Sequence, residues 1–264
     1  MKKVVMIAII LASVSCVLSY SKYKNNNTNN DQHIVYNDDD QIIQPSMDFL
    51  LKTEGLSFEA YEGMGHNELA ICYGNSFKEY LNLFHKNCTQ HYDILKKCII
   101  TKNEKYCRHL SNDCQNIGAT EKECNTMLSS KIVWILNDLR SENLELNNKQ
   151  YEALISLVYN LKNNFNAFIN SNLYQYLKSW SVYQKDGYNI DDFSMYTFNI
   201  INEWLDFSRV QGEITCSIVE RRVKEVITFY NNHSMEEKEI AYSTLNNILQ
   251  EAYSGCKFIQ KYKN

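Results

Sequence analysis

The feature that most constrains the fold is the stretch of residues 47–75, in which a short helix gives way to a glycine-rich hairpin. Three apolar residues recur at helical spacing at its start: Met47, Leu50 and Leu51. Gly55 follows Glu54 directly, and glycine is typical of the position just past a helix C-terminus. Three further glycines punctuate the segment that follows: Gly63, Gly65 and Gly74. The pattern predicts a carboxylate at the edge of a concavity, where it can serve as a general acid.

Residues 1–19 have the pattern of a secretory signal peptide. Lys2 and Lys3 precede an apolar run over residues 4–18, which is too short for a typical membrane span. Of the nine cysteines, Cys16 lies in this segment, so eight remain after cleavage. An even number in an exported chain predicts disulfides, although eight cysteines allow about a hundred pairings and the sequence selects none. Because no Cys-x-x-Cys occurs, no metal site is predicted.

The composition limits the partners of this chain. A net charge of −4 and a pI of about 5.9 argue against nucleic acid as the main partner, because phosphate binding relies on dense Lys and Arg. A hydrophobic content of 44% and a charged content of 22% suit a globular protein. The sequence contains no glycine-rich phosphate loop, zinc-protease helix motif or serine-hydrolase elbow, and no cofactor is predicted.

Shifts in composition divide the chain into segments. Residues 20–44 are polar and low in complexity, and are interpreted as a disordered leader. Pro45 suits the first turn of the helix that follows. One domain is predicted over residues 45–230, with a cysteine-rich insertion at residues 76–119 that either contacts substrate or only adds stability. Residues 231–264 are predicted to be a helical extension.

Three helix starts carry a capping signature, in which a polar residue and a Glu or Gln three positions later satisfy free backbone N–H groups. The pairs are Thr120 with Glu123, Asn147 with Gln150, and Ser234 with Glu237. The helix after Asn147 is apolar over a wide face and is expected to be largely buried. Residues 184–197 are polar and acidic, and are predicted to form a loop.

Three motifs of this chain resemble the phage-type (T4-like endolysin) lysozymes. The first comprises Glu54-Gly55-Leu56, Tyr61 and the run Ala70-Ile71-Cys72-Tyr73-Gly74-Asn75. The second lies on the apolar helix and matches at Gln150, Ala153, Leu154, Ser156 and Asn160. The third is on a late helix, at Arg221, Arg222 and Glu225. The arginines of this last motif are expected to pair with nearby acidic groups rather than to act in catalysis, and the chain resembles a divergent, exported member of the family.

The resemblance implies an α+β, mainly α fold with a small β-hairpin lobe and a helical lobe. It implies hydrolysis of the β-1,4 amino-sugar backbone of bacterial peptidoglycan, with Glu54 as the general acid. A glutamate that donates a proton near neutral pH needs a partly apolar setting that raises its pKa above the usual value of about 4.3. Substrate contacts are implied at four residues: Tyr73, Asn75, Gln150 and Asn160. The chemistry requires neither a cofactor nor a metal.

The second catalytic group departs from the family pattern. Gly63 stands where the family has an Asp or a Cys, and Ala70 stands, after one inserted residue, where it has a Thr. Cys72 replaces a glycine of the family motif. Glu62 and Glu68 lie close by, and Glu62 is taken as the second catalytic candidate, although strand alternation turns adjacent side chains to opposite faces. Three interpretations stay open: a lysozyme with a rearranged second carboxylate, a hydrolase of a different glycan, and a non-catalytic descendant that binds glycan.

The chain is therefore expected to be a secreted, monomeric, antibacterial protein whose partner is bacterial peptidoglycan. No nucleic acid is expected as a partner, nor is a membrane once the signal peptide is removed. A disulfide-rich structural or toxin-like protein that uses the fold only as a scaffold is the remaining alternative.

Overall fold

The structure, a computed structural model, describes residues 39–62, 68–161, 165–187, 189–210 and 212–262. The expected signal peptide, most of the expected leader, and Gly63 and Gly65 of the hairpin lie outside the described residues. The chain divides into two compact units, one of residues 54–131 and one of residues 39–53 together with 132–262.

The first unit contains a three-stranded antiparallel sheet in the order β1-β2-β3. The strands are β1 (Ser57–Glu62), β2 (Leu69–Cys72) and β3 (Asn75–Ser76). Tyr61 pairs with Ala70 and Glu62 with Leu69, and the ladder is irregular between Ser57 and Tyr61. The middle strand β2 is the buried one, since Leu69 is 1% exposed and Ile71 0%. The sheet thus presents its outer strand β1 to solvent.

Five short helices follow the sheet in the first unit. They are α2 (Phe77–Phe84), α3 (Lys86–Thr89), α4 (Tyr92–Thr101), α5 (Glu104–Cys107) and α6 (Asn112–Gln115). The disulfide Cys88–Cys114 joins α3 to α6, and Cys98–Cys107 joins α4 to α5. Helices this short are marginal on their own, so the cross-links and the buried Leu95 of α4 hold them in place.

The second unit is almost entirely helical. The long helix α7 (Glu121–Ser141) begins in the first unit and runs into the second. The other elements of the second unit are α1 (Asp40–Thr53), α8 (Asn148–Asn160), α9 (Phe165–Ile169), α10 (Asn172–Asp186), α11 (Ile190–Asp206), β4 (Arg209–Val210), β5 (Glu213–Ile214), α12 (Cys216–Tyr230), α13 (Met235–Ala252) and a 3₁₀ helix (Lys257–Tyr262). Helix α8 is the core helix, because it packs against both α1 and α12 and is buried at every position from 152 to 159.

The C-terminal helix α13 packs against α11 and α12 through an apolar face that includes Leu245 and Leu249. A disulfide between Cys216 and Cys256 joins the first residue of α12 to the turn after α13. None of the described helices combines the length and the apolar character that a bilayer crossing requires.

The predicted α+β, mainly α fold is confirmed, and so are the local helix starts. The Asn147 side chain accepts from the backbone N–H of Gln150 at 3.1 Å, while the Gln150 Oε1 accepts from the backbone N–H of Asn147 at 2.9 Å. The same reciprocal bonds join Ser234 with Glu237. They also join Thr120 with Glu123 at the start of α7.

Two local predictions are wrong. Helix α1 begins at Asp40, so Pro45 lies inside the helix and residues 40–44 of the expected leader are helical. The stretch 184–197 is not a loop, because α10 reaches Asp186 and α11 starts at Ile190. Two of its three acidic residues, Asp191 and Asp192, lie in the first turn of α11, where the helix dipole stabilises negative charge, so this pair marked a helix start.

Candidate active site

Glu54 is the first residue after α1, and its side chain is half-buried. The end of α1 just before it is fixed by hydrogen bonds within the second unit. The Arg221 guanidinium donates to the Thr53 carbonyl at 2.8 Å, and the Thr53 hydroxyl donates to the Phe49 carbonyl at 3.0 Å. A cation at a helix C-terminus satisfies a carbonyl that has no partner within the helix. Arg221 therefore helps to fix the C-terminal end of α1.

The Tyr61 hydroxyl lies in the electrostatic field of Glu54. Burial raises the pKa of Tyr61, and the negative charge of the Glu54 carboxylate raises it further. The hydroxyl also lies at the β2–β3 turn, because a Cβ on Gly74 would be 4.0 Å from the Tyr61 Oη. Tyr61 was identified from the sequence only as part of the first motif, and its position near Glu54 was not predicted. The available signal was its place in the first motif, seven residues after Glu54.

Glu62 is exposed at the end of β1. It pairs with Leu69, whereas the adjacent Tyr61 pairs with Ala70. Because successive side chains of a strand point to opposite faces, Glu62 faces away from the side on which Tyr61 lies. The structure therefore does not bring Glu62 and Tyr61 together, and the catalytic role of Glu62 stays a prediction. Gly63, at the family's Asp position, lies outside the described residues.

The turn between β2 and β3 is largely buried. Tyr73 is 3% exposed, and its hydroxyl donates a hydrogen bond to the Asn125 side chain at 3.0 Å. Burial raises the pKa of Tyr73, and the negative charge of Glu121 raises it further. Asn75 is 0% exposed. The substrate contacts expected at Tyr73 and Asn75 stay predictions, and both side chains are packed inside the first unit. Ala70, at the family's Thr position, offers no hydroxyl.

Gln150 and Asn160 lie at opposite ends of α8, about 15 Å apart along the helix axis. Gln150 is 1% exposed and forms the N-terminal capping box, while the Asn160 side chain is half-buried and donates to the Ser156 carbonyl at 2.8 Å. The structure therefore does not bring these two expected substrate contacts together. Their roles towards substrate stay predictions, and their observed bonds stabilise the ends of the core helix.

A buried carboxylate links the core helices of the second unit. Glu225 of α12 is 0% exposed and accepts from the Ser156 hydroxyl of α8 at 2.7 Å and the Trp204 indole N–H of α11 at 2.9 Å. Arg222, one turn earlier and 2% exposed, pairs with the same carboxylate. The expectation that arginines of the third motif pair with nearby acidic groups is thus confirmed for Arg222. Sequence reasoning did not identify Ser156 and Trp204 as partners of Glu225.

The eight cysteines of the described chain form four disulfides, which confirms the disulfide prediction and fits an oxidising compartment. The fourth pair, Cys72–Cys124, joins the end of β2 to the first turn of α7. Among the described residues, no three His, Cys, Asp or Glu side chains are grouped as a metal ion would require.

The protein has a lysozyme-like α+β fold. Three features define it: a glutamate directly after the first helix, a small antiparallel sheet, and a helical unit built around one buried helix. The family model described as Phage lysozyme matches residues 51–225, from the end of α1 to the buried carboxylate of α12. The chain therefore belongs to the phage lysozyme family. A comparison with curated proteins finds no match. At the level of the family, the assignment supports a lysozyme-like peptidoglycan hydrolase.

Proposed function

We propose that this protein is an exported glycoside hydrolase that cleaves the β-1,4 amino-sugar backbone of bacterial peptidoglycan, with Glu54 as the general acid. The observation that carries the proposal is the position of Glu54 directly after α1 in a chain of the phage lysozyme family. Within the first unit, the half-buried Glu54 lies near enough to the Tyr61 phenol for its charge to raise the pKa of that phenol. A general acid needs a setting that favours its protonated form, and partial burial of a carboxylate acts in that direction.

Glycoside hydrolysis also needs a second group, which either positions a water molecule or stabilises the oxocarbenium-like centre. Glu62 is the proposed candidate because it is the carboxylate closest in sequence to the family's Asp position. Its exposed position at the hairpin end of β1 leaves it accessible to a bound polymer. For Glu62 to act, the sugar must reach the face of β1 opposite Tyr61.

A second candidate function is a glycan-binding protein without turnover. The specific observation in its favour is Ala70, which pairs with Tyr61 across the sheet and provides no hydroxyl where the family has a Thr. Loss of a water-positioning group removes turnover more readily than it removes binding, because binding energy is spread over the whole polymer.

The test is clearing of purified peptidoglycan by the oxidised protein across pH 4–8, with mass spectrometry of the released fragments. Wild type is compared with Glu54→Gln and Glu62→Gln, and with Glu59→Gln as a matched control for loss of one exposed carboxylate from the same strand. If the proposal is right, wild type and Glu59→Gln both clear peptidoglycan, and Glu54→Gln does not. Loss in Glu62→Gln as well assigns it the second role, whereas retained clearing removes Glu62 from the mechanism.

The same set of proteins separates the second candidate. Folded wild type that sediments with peptidoglycan but releases no fragment at any pH is a binding protein, and the hydrolase proposal is then wrong. Absence of both clearing and sedimentation excludes both candidates. Intact-mass measurement of the four disulfides and the circular dichroism spectrum establish that each variant is folded before it is assayed.

A further inference from the structure

The segment of residues 96–108, within the cysteine-rich part of the first unit, concentrates positive charge. It contains four lysines, one arginine and one carboxylate, a net charge of +4 in a chain whose net charge is −4. The five cations are Lys96, Lys97, Lys102, Lys105 and Arg108. The rest of the chain therefore carries −8, and this cationic segment stands out against an acidic protein.

The cationic segment is a stapled structure rather than a flexible charged tail. It runs from the middle of α4 through a turn to the residue after α5, and the Cys98–Cys107 disulfide joins the two helices with their Cα atoms 5.2 Å apart. Lys102 ends α4 in a left-handed conformation, with φ of 50°, and so begins the turn. The cations on both helices and at the turn are therefore held in one fixed arrangement, which lowers the entropy cost of binding.

The lysines of this segment are exposed or half-buried and form no ion pair with a described acidic side chain. Lys97, Lys102 and Lys105 are exposed, and Lys96 is half-buried. Among the described side chains, none of these four lysines forms an ion pair. Lysines elsewhere do pair, as Lys131 does with Glu79 at 3.3 Å in the same unit. These four lysines therefore present positive charge to solvent.

We propose that the cationic segment binds the phosphodiester-linked polyol polymers that bacterial cell walls carry on their peptidoglycan. The choice of partner rests on the proposed function, because an enzyme that cleaves peptidoglycan meets these polymers on the same substrate. A linear polyanion matches several cations spaced along two helices. Its binding holds the enzyme at the wall even though the whole molecule is acidic.

Lysine chemistry and the limited apolar surface favour this partner over a membrane or nucleic acid. An ammonium group is a point charge that suits a flexible phosphodiester chain, since it requires no planar, bidentate partner. Membrane surfaces need a broad apolar face, but among the described residues of this segment the exposed large apolar side chains are only two, Ile100 at 36% and Tyr106 at 37%. Single-stranded nucleic acid is bound largely by stacking of bases on aromatic rings, and the segment has one aromatic residue, Tyr106.

The test measures retention of the full oxidised protein on two preparations of one Gram-positive wall, with and without its polyol-phosphate polymer. Removing the polymer with cold hydrofluoric acid leaves the peptidoglycan. The variant Lys97→Gln/Lys102→Gln/Lys105→Gln removes three exposed cations. Its matched control is Lys122→Gln/Lys178→Gln/Lys257→Gln, which removes three exposed lysines outside the segment. Direct titration with purified poly(glycerol phosphate) gives the affinity and its salt dependence.

We expect wild type and the control variant to be retained more strongly on the polymer-bearing wall, with an affinity that falls as salt rises. The segment variant is expected to bind about tenfold more weakly. Its log affinity should also fall less steeply with log salt, by about 2 to 3 in slope, which corresponds to three lost phosphate contacts. Clearing of the stripped peptidoglycan stays at the wild-type level, because the three lysines lie outside the candidate active site.

Three outcomes overturn the inference: equal retention on both walls, equal losses in the two triple variants, and tighter binding to single-stranded DNA or anionic phospholipid vesicles than to poly(glycerol phosphate). The proposed function fails separately. If wild type clears no peptidoglycan but its retention still depends on the polymer and on the three lysines, the hydrolase proposal is wrong and the wall-binding inference stands.

Discussion

Cys72 adopts a left-handed backbone conformation, with φ of 56°, and is disulfide-bonded to Cys124 with their Cα atoms 5.2 Å apart. A non-glycine residue in this conformation costs about 1–2 kcal/mol, which explains why a glycine suits the equivalent position of the family motif. Here the cross-link offsets that cost. It connects the end of β2 to the first turn of α7, and both cysteines are 0% exposed.

Loss of the Cys72–Cys124 disulfide is expected to destabilise the protein more than loss of Cys98–Cys107. In the chain-entropy treatment a cross-link over 52 residues contributes about 4 kcal/mol, and one over 9 residues about 2.6 kcal/mol. Urea unfolding of Cys72→Ala/Cys124→Ala and Cys98→Ala/Cys107→Ala measures both losses. A larger loss for the 98–107 pair contradicts the prediction and places the main stabilising role in the cysteine-rich segment.

The buried carboxylate of Glu225 is expected to contribute strongly to the stability of the second unit. Glu225→Gln breaks the buried ion pair between this carboxylate and the Arg222 guanidinium, and breaking a buried pair by removing one partner costs about 3–5 kcal/mol. Chemical denaturation measures the change in the free energy of unfolding. The control is Glu220→Gln on the same helix, which breaks a partly exposed pair with Lys224 and is expected to change stability by about 0–1 kcal/mol. Equal effects of the two substitutions contradict the prediction.

Local chemistry made much of the helical framework predictable from the sequence. Each capping box needs only residues three positions apart, and the N-cap residues Thr120, Asn147 and Ser234 therefore marked true helix starts. The same local signals misled at the start of α11, because Asp191 and Asp192 suit either a polar loop or the first turn of a helix. Pro45 misled because α1 begins five residues before it, at Asp40, and already buries Ile42 in the turn before the proline.

The buried network of Glu225 and the disulfides were less predictable, because their contacts join residues far apart in the sequence. Glu225 lies 69 residues from Ser156 and 21 from Trp204, and no local pattern joins them. The disulfide partners were undetermined for the same reason. The face of the sheet on which each side chain of β1 lies depends on the register between β1 and β2. Tyr61 pairs with Ala70 and Glu62 with Leu69, and this pairing, which composition does not reveal, places the two side chains on opposite faces.

His233 is expected to make stability depend on pH. It is packed against the rings of Trp180, Phe193 and Tyr230, and burial lowers its pKa below 6.5, opposed by the charge of Glu237. The folded state then binds fewer protons than the unfolded state, so the free energy of unfolding falls as pH drops through the unfolded value of about 6.5.

The measurement for His233 is the thermal midpoint at pH 7.5 and pH 5.5. Wild type and His109→Gln, which alters an exposed histidine, are expected to lose more stability on acidification than His233→Phe. An identical decrease in all three proteins contradicts the prediction, because the loss then arises from other groups.

The pKa of Tyr61 offers a test of the candidate site that needs no activity. The Glu54 carboxylate raises this pKa because a phenolate beside a carboxylate is disfavoured, so Glu54→Gln is expected to lower it. Glu62→Gln is expected to leave it unchanged, since strand alternation turns Glu62 to the opposite face. The measurement is an NMR titration of protein labelled with ¹³C at tyrosine Cζ, with the Tyr61 signal assigned from Tyr61→Phe. If both substitutions lower the pKa equally, Glu54 and Glu62 act on the same side of the strand, and Glu62 becomes the direct partner of the proposed general acid.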